Sequence, residues 1–197
     1  MKLSIDDRFK IDMDDDEIFY QQARYVHHLS VPFRARLTKL YTEYLCNHHI
    51  ILDLMSSWVS HLPNNTKYNK VIAHGMNQSE LNANQRIDSF WIQNLNKTQA
   101  MPFEDSTFDI GLMVAGWQYL QYPEKVSSEL SRILKSDSLL IISFTNRAFW
   151  TKSPNIWINS SDEERIQYVK SVLSANGWSV VKILKEKTFE QKLFGFY

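Results

Sequence analysis

The sequence predicts an α/β fold, a doubly wound and mostly parallel sheet preceded by a helical extension. Three observations carry this. From Ile50 onward, short apolar runs alternate with helix-period segments, the signature of a parallel sheet covered on both faces. Ahead of Ile50, two segments carry apolar stripes at helical spacing instead. The whole is 197 residues with 44% apolar, 13% aromatic and 22% charged residues, which suits one domain with a small appendage.

In chain order, residues 1 to 16 are polar and acid-rich without apolar period, and read as an irregular or partly ordered arm. Two helices are expected next. Ile18, Phe19, Tyr25, Val26 and Leu29 share a face of the first, and Phe33, Leu37, Leu40, Tyr41, Tyr44 and Leu45 form a stripe on the second, with Pro32 suited to its first turn. Strands are expected at 50–54, 70–74, 90–93, 108–114, 139–144 and 178–184, and a final one over 189–197. A helix is expected after the first strand. Others begin at Asn77, where Asn77 and Glu80 fit a capping box, at Pro123, with Val126, Leu130, Ile133 and Leu134 on one face, and at Ser161, which pairs with Glu164 and stops at Asn176-Gly177. These divide the chain into an arm and helical cap, 1–47, and a sheet domain, 48–197, of six or seven strands.

Composition narrows the function. Lys plus Arg and Asp plus Glu are both 22, so no global field attracts a polyanion and nucleic acid is not the expected partner. Apolar runs such as 139–144 are far short of the ~20 residues of a membrane span, and the acidic start is unlike a basic signal region. Cys46, the single cysteine, excludes an intramolecular disulfide framework and fits a reducing compartment, the cytoplasm. Cys46, His48 and His49 lie close in sequence, but adjacent histidines point apart and no second ligand pair has zinc spacing, so no metal is expected. There are only 5 glycines, where about 14 are usual at ~7%.

Ligands of doubly wound sheets bind beyond the carboxyl ends of the strands, where strand order reverses. The first strand's end reads Met55-Ser56-Ser57-Trp58-Val59. It lacks the glycines of a G-x-S-x-G hydrolase elbow and of a G-x-G-x-x-G dinucleotide loop. Ser56 and Ser57 cap a helix start whether or not the loop touches a ligand. Tyr20, Arg24 and His28 recur at four-residue spacing, either as a polar lid with a base or as a solvated flank. His61 reads equally as a base or as a cation in the helix expected after the loop. Trp117, Tyr119 and Tyr122, after the fourth strand, form an acceptor wall or core packing, and Asn146-Arg147 a polar wall or a cap.

From Ile50 on, the chain resembles the class I S-adenosylmethionine-dependent methyltransferases, of type 11 and small-molecule kind. Ile50-Ile51-Leu52-Asp53-Leu54 stands as their first strand, 101–109 (MPFEDSTFD) is close to their LPFxDxSFD, and 129–135 (ELSRILK) resembles their ExxRVLKPGG helix. The resemblance implies a Rossmann-like fold and S-adenosylmethionine as cofactor, lined by Asp53, Met55, Ser56, Ser57, Gly75, Met76, Asn77, Asn94, Leu95 and Ala115. It departs at the family's Pro-Gly-Gly turn, replaced by Ser136-Asp137-Ser138, and at three ligand positions. The loop's three glycines are replaced by Met55 to Val59; the ribose-gripping acid after the second strand is replaced by Gly75; and the adenine-binding acid aligns with Asn94, whose oxygen still accepts. Phe19-Tyr20, Arg24, Val26, His28 and 53–63 (DLMSSWVSHLP) resemble a Gly-poor methyltransferase-like branch found mainly in photosynthetic lineages. The expected activity is methyl transfer to a small-molecule acceptor. The alternative is a non-catalytic module binding a protein partner through the surface around Arg34, Arg36 and Lys39.

Overall fold

The structure is a computed structural model and describes residues 3–186. Five parallel strands, β1 (Ile50–Leu54), β2 (Lys70–Gly75), β3 (Ser89–Ile92), β4 (Phe108–Val114) and β5 (Leu134–Ser143), lie in the order β3-β2-β1-β4-β5. Around them in chain order stand α1 (Ile5–Arg8), α2 (Asp16–Tyr20), α3 (Val31–Tyr44), α4 (Gln78–Ala83), α5 (Pro123–Ile133), α6 (Asn155–Ile158) and α7 (Asp162–Ala175). This is the Rossmann-like, doubly wound fold that the alternation predicts.

Side-chain alternation along β1 splits the core into two layers. Ile51 packs with Leu37, Tyr41 and Leu45 of α3 and with Leu62, Tyr68, Val71, Ile110 and Leu112. Leu52 and Leu54 face the other way, among Val126, Leu130 and Ile133 of α5, Tyr168, Val169 and Val172 of α7, and Trp157. The two motifs that resemble a known family lock to each other: Arg132 binds Glu129 at 2.6 Å, Asp105 at 2.8 Å and the carbonyl oxygens of Phe103 and Met101, while Glu129 accepts the Met101 amide at 2.6 Å. Their place is structural, below the sheet's carboxyl edge.

Four expectations are corrected. The arm is ordered: Phe9 and Asp12 bond to Asn155 and Thr151 through the backbone, and Arg8 forks onto Glu124. Lys10 and Lys152, 2% and 1% exposed, close on Asp16 from two sides, at 2.7 and 3.8 Å, and Lys152 also meets Asp12 at 3.0 Å. Acid-rich composition suggested solvation; two buried lysines supply the counter-charge instead.

The first leading helix stops at Tyr20, far short of Leu29. Its backbone is taken by the domain: Asn77 Nδ2 donates to the carbonyl oxygens of Tyr20 and Gln21, the Arg24 amide donates to Glu80, and Trp58 Nε1 donates to the Val26 carbonyl. No helix follows β1, because the Ser56 amide turns to the His74 carbonyl at 2.6 Å and the Met55 amide to His74 Nδ1 at 3.2 Å, leaving 55–69 irregular. Finally, 178–184 joins no ladder, so five strands replace the six or seven expected among the described residues; Trp178 docks by donating to the Ser127 carbonyl. The expected strand over 189–197 lies outside the described residues. With no glycine turn after α5, β5 starts at Leu134 and runs through Ser136 to Ser138, with a register shift opposite Phe108 and Ile110.

Candidate active site

β1 and β4 are neighbours whose crossovers leave toward opposite edges, so a crevice opens past their carboxyl ends. There the structure has a cavity of about 380 Å³, within the range of small-molecule sites. All ten residues named from the sequence line it, contributed by the ends of β1 to β4 and the turns after them.

Asp53, at the end of β1, is buried and receives the hydroxyls of Ser56 at 2.7 Å and Ser60 at 2.5 Å. Burial raises its pKa, and the two hydroxyls oppose that rise. Met55 takes a left-handed φ of 55° and Ala115, after β4, one of 51°, a conformation rare outside glycine. Gly116 gives Met55 its seat: a Cβ there would stand 2.8 Å from Met55 Cβ and 2.9 Å from its Sδ. Gly75 plays the same part for the Ser56 carbonyl, which lies 2.8 Å from where its Cβ would be. The glycine missing from the first loop has thus moved to the elements facing it, and the loop's bulk leans on Gly75 and Gly116.

Ser57 donates to Glu80 at 2.5 Å, and Glu80 also receives the Arg24 amide at 2.7 Å. Only half of the expected capping box forms: Asn77 Oδ1 accepts the Glu80 amide, but the Glu80 carboxylate reaches the cavity mouth instead. A carboxylate therefore stands five residues past Gly75. Asn94 Oδ1 accepts the Asn96 amide at 2.9 Å, and Met76 and Leu95 add apolar wall.

His74 ties three strands together. Its Nδ1 accepts from Met55, so its Nε2 carries the proton and donates to the Gln93 carbonyl at 2.9 Å. Burial pulls its pKa down to about 4. His61 is also drawn to about 4, by burial first and then by Arg34 and His27. Each unfolded histidine gains its proton near pH 6.5, each folded one only near 4. Between these values the unfolded chain holds more protons, so stability is full above pH 6.5 and falls toward pH 4. For His74 this amounts to about 3 kcal/mol. Thermal melts at pH 7 and 4.5 check it, with His74→Gln expected to reduce the dependence and leave the part due to His61.

The segment from Asp16 to His28 covers the mouth. Tyr20, Arg24 and His28 all line the cavity, with the Arg24 guanidinium over Phe19 at 4.5 Å and the rings of Phe19 and His28 against Phe149 at 5.2 and 5.4 Å. Burial raises the Tyr20 pKa and lowers that of His28. Of the aromatics after β4, Trp117 is in the core and Tyr122 sits under Arg8 and Lys125, while Tyr119 lines the cavity and its hydroxyl accepts the Phe149 amide at 3.0 Å. Arg147 lines it too. Of Arg34, Arg36 and Lys39, Arg34 lines the cavity and Arg36 pairs with Glu186 at 2.8 Å. His49 accepts the Cys46 amide, and among the described residues no group of three or more His, Cys, Asp or Glu is placed to hold a metal.

Sequence reasoning missed Glu80, Asp16, Lys152, Tyr41 and Gln118 as cavity residues. Glu80 carried a signal, since the capping box put its carboxylate one turn past the second strand. Gln118 carried none: it is 1% exposed, with its Oε1 unpartnered among the described residues.

Fold and site together define a Rossmann-like domain of the class I methyltransferase type. The model of the "Methyltransferase domain" family matches residues 38–142, more than half of the chain, and the chain belongs to that family. Similar solved structures include a SAM-dependent methyltransferase from Aquifex aeolicus (TM-score 0.55, 17% identity, 80% of this chain and 93% of that one). Another is the [4+2]-cyclase SpnF (0.53, 15%, 72% and 57%). A third is a SAM-dependent methyltransferase from Thermotoga maritima described as a possible histamine N-methyltransferase (0.51, 18%, 71% and 70%). At these identities the likeness is one of fold. For SpnF and five further neighbours, the shared part spans 50% to 62% of their length. No curated protein matches the sequence. No helix among the described residues is long and apolar enough to cross a membrane.

Proposed function

We propose that the chain is an S-adenosylmethionine-dependent methyltransferase acting on a small molecule in this cavity, with Asp53, Met55, Ser56, Ser57, Gly75, Met76, Asn77, Asn94, Leu95 and Ala115 lining the cofactor. One observation carries the reading. The side chains of the glycine-free loop are each held by a partner at the cavity wall: Met55 against Gly116, Ser56 on Asp53 and Ser57 on Glu80.

The remaining polar groups suit such a ligand. The unpartnered Gln118 Oε1 is an acceptor for an ammonium, the Glu80 carboxylate, beside its bonds from Ser57 and the Arg24 amide, keeps further lone pairs for a ribose diol in place of an acid at Gly75, and Asn94 Oδ1 keeps a lone pair for an amino group. When bound, the cofactor supplies an electrophilic methyl group on a sulfonium. The protein's part is positioning, because His74 has both ring nitrogens engaged and His61, held near 4, is a weak base at neutral pH. Residues 1–47 serve as the cap on the 48–197 domain.

A second reading, a methyltransferase-shaped binding module, is favoured by the strap of 16–28 over the mouth and by the internal bonding of Asp53, Ser57 and Asn77. A fold that also carries a [4+2]-cyclase does not by itself fix the chemistry. Calorimetry with S-adenosylmethionine and S-adenosylhomocysteine separates the two: micromolar binding is expected. No heat and no thermal shift at millimolar ligand would reject the cofactor, while binding without methyl transfer to any acceptor tried would favour the module.

A further inference from the structure

Among the polar groups of the cavity, those contributed by α3 have no partner. The Arg34 side chain makes no hydrogen bond or ion pair among the described residues, and its Nε is buried. One helical face further on, at i+7, Tyr41 is 1% exposed with its hydroxyl also buried and unpartnered. Both residues line the cavity. Burial raises the Tyr41 pKa well above its usual value, with Asp53 adding to the rise, so the hydroxyl remains a donor at all relevant pH.

The surroundings are those of an anion site. His27 and His61 line the same side, and Arg34 and His27 both lower the His61 pKa. The carboxylates that line the cavity have partners of their own: Asp16 in Lys10, Asp53 in Ser56 and Ser60, and Glu80 in Ser57 and the Arg24 amide. A guanidinium presents a planar fork of donors that matches carboxylate or phosphate oxygens, and leaving it unpaired in a partly buried place is unfavourable.

We propose that the α3 side of the cavity is a subsite for an oxyanion, the carboxylate or phosphate of the small acceptor molecule, held by Arg34 and Tyr41. This rests on the methyltransferase reading for the word acceptor, but the oxyanion site is testable without it. The cofactor-lining residues come from the ends of β1 to β4; Arg34 and Tyr41 come from α3 and belong to none of them.

The test is calorimetric titration of the full chain with inorganic phosphate and with acetate, each with and without saturating S-adenosylhomocysteine. Millimolar or tighter binding of at least one anion is expected, weakened tenfold or more in Arg34→Gln and threefold or more in Tyr41→Phe. S-Adenosylhomocysteine affinity should change less than twofold in both variants. Tighter phosphate than acetate would assign the handle to a phosphate ester, and the reverse to a carboxylic acid. Three results overturn the subsite: neither anion binds the wild type, both variants bind the anion as the wild type does, or S-adenosylhomocysteine displaces the anion, which would give Arg34 to the cofactor's own carboxylate. Anion binding that depends on Arg34, with no binding of S-adenosylhomocysteine, would keep the subsite and sink the cofactor reading. Tyr41→Phe keeps the ring in the core, so it still reports should Arg34→Gln fold poorly.

Discussion

Gly75→Asp, which puts back the carboxylate implied by the resemblance at the end of the second strand, is expected to destabilise the protein without tightening nucleoside binding. The added Cβ would stand 2.8 Å from the Ser56 carbonyl oxygen and 3.2 Å from Leu81 Cδ1. Leu81 can shift, but the Ser56 backbone cannot easily do so, since its amide is bonded to His74 at 2.6 Å and its side chain to Asp53. Overpacking against backbone, together with a carboxylate pressed toward a carbonyl, should cost about 3 kcal/mol or more. For a chain of this size that lowers Tm by about 6 to 12 °C. A melt of the variant beside Gly75→Ala, with titration of S-adenosylhomocysteine, checks both halves. An unchanged Tm with tighter binding would show that the loop moves aside and that Glu80 is not the acid of this site.

Lys152→Ala should have the larger effect on stability. Its ammonium is nearly inaccessible and meets Asp12 at 3.0 Å, Asp16 at 3.8 Å and the Asp14 carbonyl at 2.8 Å, over the ring of Phe19. Truncation leaves Asp16 buried with Lys10 as its one remaining cation. Breaking a buried pair in this way costs about 3 to 5 kcal/mol, or about 6 to 20 °C in Tm. Because Asp16 and Lys152 line the cavity, ligand affinity should fall as well. The double variant Asp16→Asn, Lys152→Ala should recover part of the loss, as the charge left behind is then absent. If Lys152→Ala melts within 2 °C of wild type, water must reach the ammonium and the network is not structural.

The sheet was legible because its signal is local. Val71 to His74 and Ile110 to Val114 are apolar runs whose period and length leave little else to form, and they appear in place. The cap at Ser161 was legible for the same reason, since both halves of its box lie within four residues and both form. What failed was decided at a distance. Asn77, Glu80 and Trp58 take backbone groups of 20–26 that a helix would have used internally, and no window of sequence around Tyr20 shows this. The helix expected after β1 was lost to His74, 19 residues downstream. At the site, the ten residues that the resemblance implies line the cavity, whereas Tyr41 and Gln118 looked like ordinary helix and loop residues and only burial reveals their orphaned atoms.

The bridge between Lys10 and Pro154, with Asp12 on Thr151 and Phe9 on Asn155, bears on how the chain is made. During synthesis the early arm leaves the ribosome about 140 residues before its partners do, at ~5 to 20 residues per second a wait of roughly 7 to 28 seconds. Over that interval Lys10, Asp12 and Asp16 are hydrated ions rather than a network, and the cost of stripping water from unpaired charges keeps an unfinished sheet from gathering them in. The mouth of the cavity is accordingly among the last parts of the molecule to take shape, and a nascent chain halted before Lys152 would present an open crevice.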